Sequence, residues 1–131
     1  MSQHIIDPSE PYHPEKLEEK EIIGAAAYFN LDLRTGIVLS AEDFPEMRKP
    51  SYKIEVDFGP VIGILWSSAQ ITNYEKSDLV GRTVVGAINL GGKTLPTGFI
   101  SQFLVLGALD PNGTVRLLEL PEGVLPGSMV A

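Results

Sequence analysis

From Leu31 onward the apolar and polar positions alternate in short segments, and glycine, proline and asparagine punctuate them; this is the pattern of half-buried strands. Tyr52-Lys53-Ile54-Glu55-Val56-Asp57-Phe58 alternates without a break. Tyr52, Ile54, Val56 and Phe58 are therefore expected to face inward and Lys53, Glu55 and Asp57 outward, with Gly59-Pro60 ending the run. Further strands are predicted over 34–41, 61–66, 83–90, 99–107 and 114–120. Asp110-Pro111-Asn112-Gly113 predicts a turn, because an Asn-Gly pair accepts the positive φ of a hairpin bend. Thr72-Asn73-Tyr74-Glu75 has capping-box spacing ahead of Leu79 and Gly81 and predicts one short helix between strands. Five or six short strands with one interposed helix point to an all-β chain closed into a small barrel. The natural candidate is the five-stranded OB-fold, which places a helix between its third and fourth strands.

The segment before Leu31 has a different period. Prolines stand at 8, 11 and 14, and Glu15-Lys16-Leu17-Glu18-Glu19-Lys20-Glu21 then predicts an N-terminal helix with Pro14 near its first turn and acids suited to the positive helix end. Residues 25–29 are expected to continue as helix and to bring Tyr28, Phe29 and Leu31 onto the core. The expected organisation is an acidic arm over 1–24, with that helix, followed by one barrel domain over 25–131.

Charge sharpens this division. The chain has 131 residues and a formal net charge of −7, which excludes a strongly basic nucleic-acid binder. Residues 1–28 hold six acids and two lysines, so the arm carries −4 of that total and the rest of the chain only −3. The acidic stretch reads first as a solvated face, and second as a docking arm. A length of 131 residues suits a single domain with its own core. No apolar run approaches the roughly 20 residues of a membrane span, and Met1-Ser2-Gln3-His4-Ile5-Ile6-Asp7-Pro8 does not read as a secretory signal. Without cysteine there is no thiolate chemistry and no disulfide, which fits a cytoplasmic location.

No catalytic constellation emerges. Gly91-Gly92-Lys93-Thr94 resembles the end of a phosphate-binding loop, but Ala87 stands where the earlier glycine belongs and Pro96 interrupts the helix that should follow. Asn112-Gly113-Thr114 reads as a turn. His4 and His13 lie in the arm, away from any acid cluster with metal-ligand spacing. Ser67 and Ser68 have no histidine in the folded part to act as base, and Glu55 and Asp57 share a strand face with Lys53 as a charge ladder. Neither a cofactor motif nor a metal set is seen.

Several segments in order do carry a resemblance. They are Asp32-Leu33-Arg34-Thr35-Gly36, the run 41–53 from Ala41 to Lys53, Asp57-Phe58-Gly59, Ser67-Ser68-Ala69-Gln70-Ile71-Thr72, Leu79-Val80-Gly81-Arg82, Asn89, and Phe103-Leu104-Val105-Leu106-Gly107. Together they resemble the CsaA proteins, single-domain relatives of the tRNA-binding domain appended to methionyl-tRNA synthetases, over about residues 25–131. The resemblance implies an OB-fold homodimer without catalytic activity that binds tRNA, or a chaperone that binds unfolded or export-bound polypeptide. The alternative is a dimeric barrel that has lost tRNA binding and serves as a small-ligand or regulatory module.

Carried over position by position, the resemblance implies a binding groove containing Ser67, Ser68, Gln70, Asn89 and Ser101. Gln102 replaces a family glutamate, and Lys93 retains one of two adjacent basic residues. Leu65, Thr94 and Ile100 stand where the family is usually basic, and Gly91-Gly92 replaces a proline pair. Trp66, Phe99 and Phe103 offer aromatic surfaces on which bases can stack; the alternative is that Phe103 is core and Phe99 packs the barrel mouth. Arg34, Arg48, Lys49, Lys53 and Arg82 are the further candidate phosphate contacts. Arg48-Lys49-Pro50 reads equally as a solvated loop.

Overall fold

A computed structural model describes residues 13–131; His4 and the first part of the arm lie outside these residues. The helix expected over 15–21 is not formed. Pro14–Lys16 makes one 3-10 turn with no side-chain cap, and the chain then runs irregularly to Gly24, where φ is +82°. A seven-residue segment is below the length at which a helix holds in water without packing, and here none of its residues is buried. Helix α1 (Ala25–Phe29) is a separate, single-turn element. Its Phe29 is 78% exposed rather than on the core, while the Tyr28 hydroxyl donates to the Val130 carbonyl and Leu31 packs against a small secondary cluster.

Strands β1 (Leu33–Asp43), β2 (Tyr52–Asp57), β3 (Ile64–Ala69), β4 (Thr83–Ala87) and β7 (Leu104–Val105) form an antiparallel sheet in the order β3-β2-β1-β4-β7. Two-residue strands β5 (Lys93–Thr94) and β6 (Ile100–Ser101) make one hairpin, and β8 (Gly107–Leu109) with β9 (Val115–Leu117) makes another. Helix α2 (Gly59–Ile62) occupies the start of the strand expected over 61–66, because Pro60 at the first turn and Gly63 at φ +82° favour one helical turn there. Helix α3 (Lys76–Leu79) lies between β3 and β4 as expected. Its N-cap is Glu75 rather than Thr72, and no side chain caps it.

The five-stranded sheet curls into a barrel of the OB type. β1 pairs with β4 through its first half and β2 through its second, and a bulge between Val38 and Ser40 gives the bend that lets one strand serve both. Closure comes from the residues between β6 and β7: the Gln102 N–H donates to the Trp66 carbonyl at 2.8 Å, tying this segment to β3. Inside, Ile54, Val56, Phe58, Ile71 and Leu79 have almost no exposed surface. Phe58 sits edge-on to Phe103, their centroids 4.9 Å apart, and a Cβ at Gly36 or Gly86 would fall within 2.9 Å of its ring. These two glycines make the space for the largest fully buried side chain. A C-terminal strap over 125–130 runs along the start of β1, and backbone bonds join Thr35, Gly127, Ser128, Leu33 and Val130.

Candidate nucleic-acid interface

The outward face of β1, β2 and β3 is set by register. Glu42, Lys53 and Ser68 stand in one cross-strand row, and Ser40, Glu55 and Trp66 in the next. The loop 44–51 and the loop of the β5–β6 hairpin meet at this face. A groove of about 490 Å³ beside the hairpin is lined by Glu42, Lys53, Trp66, Gly98, Phe99, Ile100 and Gln102. Phe44 of the first loop meets Phe99 of the second edge to face at 5.3 Å. The Lys53 ammonium lies 4.6 Å from the Phe44 ring centroid and 5.5 Å from that of Phe99, a double cation–π contact that fixes it at the join between the loops.

The residues expected in one groove divide among several places. Trp66, Phe99 and Gln102 line it together. Ser68 and Gln70 line a neighbouring depression of about 370 Å³ with Lys49, Ile71 and Leu104. Ser67 is 2% exposed and its hydroxyl points inward, donating to the Phe103 carbonyl at 2.7 Å and lying 3.0 Å from Ser101 Oγ. Ser101 Oγ also accepts the Ser68 N–H at 3.2 Å. Both serine hydroxyls therefore serve barrel closure. Asn89 clamps the turn before β1: the Asp32 N–H donates to its Oδ1, and its Nδ2 donates to the Asn30 carbonyl, both at 2.8 Å. Lys93 is exposed on β5 opposite Ser101. Leu65 faces inward and packs on the core, so the missing charge there does not alter the groove; Thr94 and Ile100 pair with each other at its wall. Phe103 is core.

The basic residues divide similarly. Arg34 is held by Asp32 at 2.7 Å and by the Gly127 carbonyl, and Arg82 by Glu119 at 3.1 Å and the Tyr74 ring. Among the described residues, Arg48, Lys49, Lys53 and Lys93 enter no salt bridge. At the end of β1, Asp43 accepts a hydrogen bond from Lys76 at 3.0 Å, and this bond and its charge hold the ammonium above its usual pKa. Glu42 and Phe44 escaped the sequence reading because the first strand was expected to end at Ala41. Continued alternation from Ser40 to Glu42 was the available signal.

Comparison with known proteins places this geometry in context. Residues 33–129 match the tRNA binding domain family. The chain is 34% identical over 113 residues to the methionine–tRNA ligase of Methanocaldococcus jannaschii, a match that covers 86% of this chain and 17% of that enzyme. It thus spans less than a fifth of the length of the curated ligases it resembles. The solved CsaA chaperone protein from Picrophilus torridus is 41% identical with a TM-score of 0.78, covering 84% of this chain and all of that one. Chaperone CsaA from Bacillus anthracis is 38% identical with a TM-score of 0.79, covering 85% of this chain and all of that one. The resemblance read from the ordered segments is met, and so is the OB-type barrel.

Proposed function

The chain belongs to the tRNA binding domain family, and on that premise we propose that it is a non-enzymatic cytoplasmic protein that binds tRNA through the groove lined by Lys53, Trp66 and Phe99. The observation that carries this reading is the juxtaposition of Trp66 and Phe99, which offer ring surfaces, with Lys53, a cation in no salt bridge. Stacking surfaces beside cations that track phosphates are what single-stranded nucleic acid requires of an OB barrel. Arg48 and Lys49 extend the cationic track onto the adjoining loop; Arg34 and Arg82, spent on internal partners, do not contribute. Residues 25–131 form the binding domain in this reading and residues 1–24 an acidic arm apart from it.

Titration with tRNA at low and physiological salt tests the proposal. Lys53→Met is expected to lower affinity and to reduce the slope of log affinity against log salt by about 0.7 to 0.9, the contribution of one phosphate contact, whereas Arg82→Met leaves the slope unchanged. A second reading, a chaperone for unfolded polypeptide, is favoured by the apolar wall that Phe99 and the half-exposed Ile100 give the same groove. Binding of an unfolded reporter peptide with little salt dependence, and no binding of tRNA, would decide for it. If neither binds, both readings fail.

We also propose a homodimer. Its support is the apolar surface that Phe29 of α1 and Leu125 and Met129 of the C-terminal strap leave exposed, on elements joined by the bond from Tyr28 to Val130. Analytical ultracentrifugation is expected to give a dimer at micromolar concentration and a monomer for Phe29→Asp; a monomer for the natural chain would refute it.

A further inference from the structure

Gln102 has only one amide orientation that its neighbours permit. The Trp66 N–H donates to its Oε1 at 2.9 Å, and its own backbone N–H donates to the Trp66 carbonyl at 2.8 Å. An amide nitrogen has no lone pair with which to accept the Trp66 N–H, so oxygen must take that place and Nε2 must be the other end. Nε2 makes no hydrogen bond among the described residues, and Gln102 lines the groove beside Trp66, Ile100 and Lys53. The amide end left to a ligand is thus a pure donor, and Lys53, a charged group of the same lining, also donates. Glu42, across the strand pair from Lys53, is the acceptor on that wall.

Resting on the RNA-binding reading above, we propose that Gln102 is a specificity-determining residue that selects the base held against Trp66. The groove takes a base that turns a carbonyl oxygen at the exocyclic position toward the amide, O4 of uracil or O6 of guanine, over one with an amino group at that position, N4 of cytosine or N6 of adenine. A carbonyl accepts an Nε2 hydrogen. An amino group sets N–H against N–H and forgoes that hydrogen bond. Phosphate contacts and stacking on Trp66 are indifferent to this difference, so base preference separates the amide's role from general affinity.

Trp66 is the one tryptophan of the chain, so its fluorescence reports the groove directly. The full chain is titrated with oligouridylate and oligocytidylate of equal length at one salt concentration, which cancels the phosphate contribution. The uridylate is expected to bind about three- to tenfold more tightly, the range one net hydrogen bond supplies. Gln102→Glu keeps an oxygen for the Trp66 N–H and presents a second oxygen to the ligand. Both oligonucleotides weaken from its added charge, and the preference turns toward cytidylate. Because the reversal is read within one pair of oligonucleotides, their own stacking cancels. Gln102→Met, apolar at nearly the same length, brings the ratio to about one. Equal affinities in the natural chain, or an undiminished uridylate preference in either variant, would overturn the role of Gln102 and leave the RNA reading standing. Failure of both oligonucleotides and of tRNA to bind would overturn the two together.

Discussion

Ser67 carries a single hydroxyl proton, and the hydrogen-bond geometry says where it goes. Two carbonyls lie in reach, that of Phe103 at 2.7 Å and that of Ser68 at 3.3 Å; Ser67 donates to the nearer, so Ser101 donates to Ser67, while Ser101 takes the Ser68 N–H. Every polar atom in this closure is paired, as a buried network must be if it is to stabilise. Ser67→Ala removes the acceptor of Ser101 and the donor to Phe103, and is expected to cost about 1–3 kcal/mol, read from chemical denaturation. Groove binding should change less than stability, because the hydroxyl does not face the groove. From the sequence, Ser67 and Ser68 were indistinguishable small polar residues. Alternation sets them on opposite faces, but which face closes the barrel and which faces solvent depends on Phe103 and Ser101, more than thirty residues away.

At the level of elements, the C-terminal strap shows how closely two backbone segments approach. A Cβ at Gly127 would lie 2.7 Å from the Phe58 carbonyl oxygen, and a Cβ at Gly59 would lie 2.6 Å from that of Pro126; both glycines have positive φ. Gly113 also has positive φ, but its Cβ would meet open space in the β8–β9 turn. Gly113→Ala is therefore expected to cost only the backbone strain, about 1 kcal/mol, whereas Gly127→Ala adds displacement of the strap from β1 and should cost more than about 2 kcal/mol. Paired thermal-unfolding measurements check the contrast, and equal effects would contradict it. The turn at Gly113 was readable from Asp110-Pro111-Asn112-Gly113. Nothing local to Gly127 marked it as a contact of the strand that ends before Gly59.

For the whole molecule, the net charge of −7 divides into −4 over residues 1–28 and −3 over the remainder. Deleting residues 1–24 removes six acids and two lysines and leaves −3, so repulsion of tRNA should fall. The truncated chain is expected to bind tRNA more tightly than the full chain at low salt and equally at high salt, where screening removes the difference. Titration at both ionic strengths checks this; a gain that persists at high salt would mean that the arm occupies the groove rather than repelling its ligand. The arm helix illustrates the limit of local reading: Glu15 to Glu21 has helical composition, but no surface buries its residues and the segment does not hold a helix.

By itself, the sequence determined the barrel. Period-two alternation fixes which residues of β2 are buried, and glycine, proline and a short helix at the right place limit how the strands connect. The ordered segments then identified the family. Tertiary structure alone decided the geometry of the candidate site. Register set Glu42, Lys53 and Trp66 on one face; the meeting of Phe44 with Phe99 walled it; and closure withdrew Ser67 and Ser101 while leaving Gln102 one free amide end. The reason is physical. Strand alternation is enforced by neighbours in the chain, whereas the pairing of a hydroxyl, an ammonium or an amide is fixed by groups that only folding brings within about 3 to 6 Å.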